Sequence, residues 1–196
     1  YGCAMTDPSS NSLSTLVAGF RRAALLALDG EVYEMEHAEA AEAIATLPSL
    51  VVCHGPATAR RLGIDPFKAL DILELFAFVR PAKPSLPTVG GVADALGLTR
   101  PETLVDAARL LARAVEKLIA ELDDIQQDQR SDAGLIAGAM ARGGWGWGAR
   151  VMDALGAAGE TASDASGLDV WRRLGEWSEL MPEPPPGNIP VASAEA

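Results

Sequence analysis

Leu50-Val51-Val52-Cys53-His54-Gly55-Pro56-Ala57-Thr58-Ala59-Arg60-Arg61-Leu62 decides how this chain is read. The apolar run 50–53 follows Pro48 and stops at His54-Gly55-Pro56. A run so short, bounded by proline and glycine, reads as a buried strand. Residues 57–62 then read as a short helix, so a strand hands over to a helix within a few residues. That is the unit of an α/β domain.

Upstream, 23–28 and 31–35 are short apolar or alternating runs joined by Asp29-Gly30. The pair predicts a β-hairpin with a type I′ turn, whose two central residues both need positive φ. An Ala/Glu-rich helix is expected at 37–47. Residues 5–15 are rich in Ser, Asp, Pro and Asn and predict a disordered or extended leader, 1–15, with 23–28 as the first firm element. Tyr1 to Ala4 reads as a vector remnant before a natural start at Met5.

Downstream, 69–79 is an apolar stretch that begins as a strand and continues as a helix. Pro81, Pro84 and Pro87 stiffen the connection that follows. Thr88 caps a helix that runs to Leu96 and ends at Gly97. The longest periodic segment is 102–125, where Leu104, Ala108, Leu111, Val115, Leu118 and Leu122 recur at helical spacing. Further helices are expected at 132–141, 149–155 and 168–180, the first two separated by the Gly-Trp stretch 143–148. Pro182, Pro184, Pro185 and Pro186 make 181–196 a linker, and a linker suggests that something follows it. The expected layout is a helix-dominated α/β domain over 16–125, a helical extension over 126–180, and the linker.

Bulk properties narrow the function. The chain has 196 residues, 48% of them hydrophobic, and a formal charge of −11. An acidic surface repels phosphate backbones at long range, so strong autonomous nucleic-acid binding is not expected, although local basic clusters can still touch it. Cys3 and Cys53, with only His37 and His54 besides, show no zinc-ligand spacing, which predicts a reduced cytoplasmic protein with no metal or cofactor. No apolar run approaches the length of a membrane span.

The region from Leu50 to about Leu122 resembles the second half of DnaQ-type exonuclease domains. In that family a strand ends in His-Asn-Ala and Phe-Asp opens the next helix; here the strand leads into His54-Gly55-Pro56-Ala57-Thr58-Ala59. The family's Asp-Thr-Leu-Glu-Leu corresponds to Asp71-Ile72-Leu73-Glu74-Leu75, and its Ser-Leu-x-x-Leu-Ala…Leu-Gly helix to Thr88-Val89-Gly90-Gly91-Val92-Ala93 running on to Leu96-Gly97. The resemblance implies a small RNase H-like sheet. It also implies carboxylates holding two divalent metals for phosphodiester hydrolysis, because hard cations require anionic oxygen ligands. Here the sequence departs from the pattern. Ala59 stands at the middle ligand position. Asp106-Ala107 matches the last motif, but 99–105 holds no His to act as base. Asp29-Gly30-Glu31 has the Asp-x-Glu spacing of the first motif, yet it sits about 25 residues before His54, closer than the family allows, and turn chemistry is the better account of it. His54 reads as a relic that orients the following loop or as a hydrogen-bonded residue at a strand end.

A larger resemblance is to the N-terminal region of alphaproteobacterial DinG-type DNA helicases. It is carried by 53–62, by Leu73-Glu74-Leu75-Phe76-Ala77-Phe78-Val79-Arg80-Pro81, by Leu168-Asp169-Val170-Trp171-Arg172-Arg173-Leu174 with Trp177, and by the proline tail. It implies an ATP-dependent helicase of superfamily two, with a motor of the same polypeptide as this domain's partner. The chain itself contains no G-x-x-x-x-G-K-[ST], no Asp-Glu-x-His box and no cysteine cluster for an iron–sulfur centre.

Arg142-Gly143-Gly144-Trp145-Gly146-Trp147-Gly148-Ala149-Arg150 puts two indoles between two arginines. Arg142, Trp145, Trp147 and Arg150 therefore form a candidate weak contact with single-stranded DNA, weighed against tryptophans that simply cover the core. The expected role is a non-catalytic accessory domain. The rivals are a nuclease with the atypical ligand set Asp29, Glu31, Asp71 and Asp106, and a pure protein-interaction module.

Overall fold

A computed structural model describes residues 13–157 apart from Pro48, Ala82 and Gln126 and the side chains of 127–129. The expected helix 168–180 and linker 181–196 lie outside these residues. The elements in order are β1 (Ser14–Ala18), β2 (Arg22–Leu26), β3 (Val32–Glu36), α1 (His37–Thr46), β4 (Leu50–Val52), α2 (Gly55–Leu62), β5 (Leu70–Asp71), α3 (Ile72–Val79), α4 (Val89–Leu96), α5 (Leu104–Asp123), α6 (Gln127–Arg142) and α7 (Gly148–Ala154). They form an α/β domain in which helix predominates, as expected from the sequence.

The five strands make one mixed sheet in the order β3-β2-β1-β4-β5. β2 is antiparallel to both neighbours, and β1, β4 and β5 run parallel. The central strand is β1, which the expected leader 1–15 had partly absorbed. Its polar start conceals it: Ser14 and Thr15 are buried, and the Thr15 hydroxyl donates to the Ala108 carbonyl on α5 at 2.7 Å. A buried hydroxyl with a partner costs little, so a strand can begin on residues that look like a loop.

The β2–β3 hairpin forms, but with a different turn. Gly30 N–H donates to the Ala27 carbonyl at 3.1 Å and Ala27 N–H to the Glu31 carbonyl at 2.9 Å. Gly30 has φ +86°, and His54 is the sole non-glycine with positive φ among the described residues. Asp29 therefore stays at negative φ, which a type I′ turn forbids. The tip is a three-residue loop that places the glycine alone in the left-handed region. The exposed edge β3 is salted with Glu34 and Glu36, both ion-paired to Arg22 of β2, a device that discourages further strand pairing.

Strand alternation divides the core. Leu16, Ala18, Ala23, Leu25, Leu50 and Val52 face the layer of α1 and α2. Val51 faces the other side, where Leu111, Ala114, Leu118 and Leu122 of α5 meet α3, α4 and α7. α5 lies across the sheet as the sequence periodicity predicts. Thr103 caps it by accepting from Asp106 N–H while the Asp106 carboxylate accepts from Thr103 N–H. α4 keeps its expected bounds, with Thr88 bonded to Gly91 N–H and Gly97 at φ +66°. Arg80, at the end of α3, ties three helices together. Its guanidinium makes a bidentate pair with Glu121 of α5 at 2.7 and 2.6 Å and reaches the Ala95 carbonyl of α4 at 2.6 Å.

The division expected at 125/126 does not separate two cores. Ala137, Trp147, Val151, Leu155 and Ala157 pack in the same cluster as α3, α4 and α5. Gly148 permits this, since a β-carbon there would run into Ala141 of α6. The Thr15→Val variant keeps the volume of the side chain and removes the bond to α5. Urea denaturation should show a loss of about 1 kcal/mol with an unchanged slope.

Candidate functional site

Three elements converge at the carboxyl end of β1. A cleft of about 220 Å³ lies there, between the end of β1, the first turns of α2 and the start of α5, with Pro87, Thr88 and Val89 on its rim. No carboxylate lines it. Its one charged side chain is Arg61, whose guanidinium donates across the cleft to the Ala18 carbonyl at 2.9 Å. Gly19 forms part of the floor. A β-carbon at Gly19 would lie 2.8 Å from a Leu104 methyl and 2.9 Å from the Arg22 carbonyl, so α5 closes directly onto the end of β1.

The α2 wall of this cleft is built by a corner. β4 ends and the chain turns at His54, which holds φ +62° and ψ +78°. That left-handed conformation costs a non-glycine roughly 1 kcal/mol. Several bonds compensate. The His54 Nδ1 accepts from Ala57 N–H at 3.1 Å, capping α2. That bond places the ring proton of a neutral imidazole on Nε2. The Asp71 carboxylate accepts from His54 N–H at 3.0 Å, from Gly55 N–H at 2.7 Å and from Leu73 N–H at 3.0 Å. One side chain thus fixes the corner after β4 and caps α3. The Trp147 indole N–H donates to the Asp71 carbonyl at 2.7 Å. His54 accordingly orients the loop and satisfies its own backbone at once.

Cys53, half-buried at the cleft, sits in the field of this corner. Burial first, and the Asp71 charge second, push its thiol up to about 12, with Arg61 opposing. Glu74 is also raised, by burial and then by Asp71.

The proposed ligand residues do not meet. Asp29 and Glu31 are at the β2–β3 tip, beside Leu26 and Val32, whereas the cleft is at the opposite end of the sheet, where Ala18 pairs with Ala23. Asp29 is spent on the turn, accepting from Glu31 N–H at 2.9 Å and Tyr33 OH at 3.3 Å. The first strand of the sheet is β1, and it carries no Asp or Glu at all. Asp71 is committed to backbone donors. Asp106 is exposed and turned to Thr103, whose hydroxyl holds its carboxyl below the usual carboxylate range. Among the described residues no group of three or more His, Cys, Asp or Glu is placed to hold a metal ion. Ala57, Thr58 and Arg61 face the cleft, and Ala59 is buried about 200° round the helix from Ala57, off that face.

The Gly-Trp stretch also differs from the contact surface considered for it. Trp147 is fully buried and bonded to Asp71, so it cannot stack on a base. Trp145 lies half-buried against Phe78 with ring centroids 5.0 Å apart. Its indole N–H is buried without a hydrogen bond of normal geometry, although the Glu74 carboxylate feels it as a donor. Arg150 is half-buried, with its Nε enclosed, while Arg142 ends α6. Packing accounts for both tryptophans.

Sequence reasoning missed β1, Gly19, the reach of Arg61 and the hub at Asp71. A strand signal was present in Thr15-Leu16-Val17-Ala18, which is β-branched and apolar. No family model matches the chain, and no curated protein or solved structure matches it either. No helix of the described residues is long and apolar enough to cross a membrane.

Asp71→Ala should cost about 2–4 kcal/mol in chemical denaturation, because several enclosed N–H groups lose their acceptor. His54→Asn should stay close to the parent while His54→Ala loses about 1 kcal/mol, since Asn both caps and tolerates the left-handed region. In a Cys3→Ser background, Cys53 should resist iodoacetamide at pH 8, where a raised pKa leaves about a thousandfold less thiolate than an ordinary thiol has. Labelling should become fast in denaturant, and equal native and denatured rates would contradict the enclosure.

Proposed function

We propose that this chain is a non-catalytic accessory domain, RNase H-like in fold, that positions DNA for a helicase motor of the same polypeptide or docks on that motor. One observation carries the non-catalytic part. The cleft at the carboxyl end of the central strand, where such a fold would gather its metal ligands, is lined by Arg61, Thr58, Thr88, Cys53 and apolar groups, and by no carboxylate. Hard divalent cations are held chiefly by carboxylate oxygens, and a guanidinium repels them. The sheet order β3-β2-β1-β4-β5, with β2 alone reversed, supports the RNase H-like reading. The helicase setting rests on the resemblance carried by 53–62, 73–81 and the segment around Trp171.

The rival reading, a nuclease using Asp29, Glu31, Asp71 and Asp106, would need groups from opposite ends of the sheet to act on one phosphate. Incubating the purified chain with single-stranded DNA and Mn²⁺ separates the two. The expected result is intact DNA, with Asp106→Ala indistinguishable from the parent. Degradation that Asp106→Ala abolishes would overturn the proposal. The motor is checked on the gene: the reading expects a G-x-x-x-x-G-K-[ST] run beyond position 196, and an open reading frame without one removes the helicase setting.

A further inference from the structure

The turn joining β1 to β2 carries the most exposed aromatic side chain described. Phe20 is 93% exposed, and it follows directly on Gly19 of the cleft floor. Gly19 N–H donates to the Arg22 carbonyl at 2.8 Å, so Phe20 and Arg21 are the tip of a tight hairpin. Two-residue hairpin tips favour Asn-Gly or similar pairs, because the turns that match strand twist need positive φ. Here both tip residues keep negative φ. Turn chemistry therefore does not account for Phe-Arg at this place, and neither does packing.

Charge points the same way. The chain is strongly acidic, at −11, yet Arg21 and Arg22 lie at this turn and Arg61 reaches the adjacent Ala18 carbonyl. Arg22 is neutralised by Glu34 and Glu36. Arg21 is exposed and makes no ion pair among the described residues. Arg61 spends one donor on Ala18 and has no carboxylate partner in the cleft. Arg60 precedes it on the same helix. An exposed aromatic ring beside uncompensated guanidiniums fits a ligand that is both flat-faced and polyanionic, which is the chemistry of a single-stranded nucleic acid. Leu104 of α5 packs closely over Gly19, next to the tip.

We propose that Phe20 and Arg21, with Arg61 beside them, form a contact surface for single-stranded nucleic acid, one base stacking on Phe20 and phosphates meeting the two arginines. The surface takes the place of the Trp145/Trp147 stretch as the nucleic-acid contact. It rests on the accessory-domain reading and names the partner of that same end of the sheet.

The test titrates the full chain against a fluorescein-labelled oligothymidylate at low salt by anisotropy. Phe20 and Arg21 are exposed, so their alanine variants should keep the parent circular dichroism and melting. Phe20→Ala should weaken binding about tenfold or more, the effect of losing one stacked base. The slope of log K against log salt should be about −1.4 for two phosphate contacts, and Arg21→Ala should shallow it by about 0.7. Arg61→Lys, which retains charge, should bind more tightly than Arg61→Ala. No binding by the parent at low salt overturns the inference, as does binding that Phe20→Ala leaves unchanged. Tighter binding of an acidic peptide of equal charge would assign the surface to a protein instead. Cleavage of the oligonucleotide with Mn²⁺ would sink the non-catalytic reading whatever the affinity, so the two failures are distinguishable.

Discussion

The Asp71 carboxylate is the constraint on which the rest depends. It lies at the end of β5 and accepts from the backbone N–H groups of His54, Gly55 and Leu73. Those groups belong to the exit of β4, the start of α2 and the first turn of α3. A charged acceptor is worth about twice a neutral one, and here it offsets the left-handed strain at His54. The backbone carbonyl of the same residue receives the Trp147 indole, so a segment some 76 positions away is fastened to the same point. Removing the carboxylate would loosen the corner, the helix cap and the electrostatic setting of Cys53 together.

That corner sets where α2 points, and α2 sets what the cleft can do. Arg61 is delivered to the carbonyl of Ala18, and Leu104 is brought onto Gly19 from the other side. The end of the central strand is then flanked by the Arg61 guanidinium and by the Leu104 methyl groups. Beyond the cleft, Phe20 and Arg21 face outward.

Much of this was legible in order and type. The caps at Thr88 and Thr103, the strand before His54 and the strand-to-helix change near Asp71 have local causes, so local sequence shows them. Periodicity alone placed α5, because its apolar stripe faces the sheet. β1 was hidden because its buried polar start looks like a loop until Ala108, 93 residues away, supplies an acceptor. The turn at Asp29-Gly30 was misjudged in type, since Asp29 prefers to bond its own loop. Sequence order alone does not report that Ala57, Thr58 and Arg61 line the cleft while Ala59 is buried off that face. Asp71 reads from sequence as a possible metal ligand because two of its three backbone partners, His54 and Gly55, come from another strand end. Trp147 illustrates the same limit: glycines around it suggested a flexible loop, whereas they permit close packing against Leu70 and Ala141.

The cleft at the carboxyl end of β1 offers a divalent cation the Arg61 guanidinium and no carboxylate. Paramagnetic broadening in a ¹⁵N–¹H NMR spectrum reads this directly, since Mn²⁺ quenches amide signals near its binding site. The account predicts that Mn²⁺ leaves the amides of Val17, Gly19, Thr58 and Ala107 no more broadened than the rest of an acidic surface. Selective loss of those four signals at low metal would contradict it.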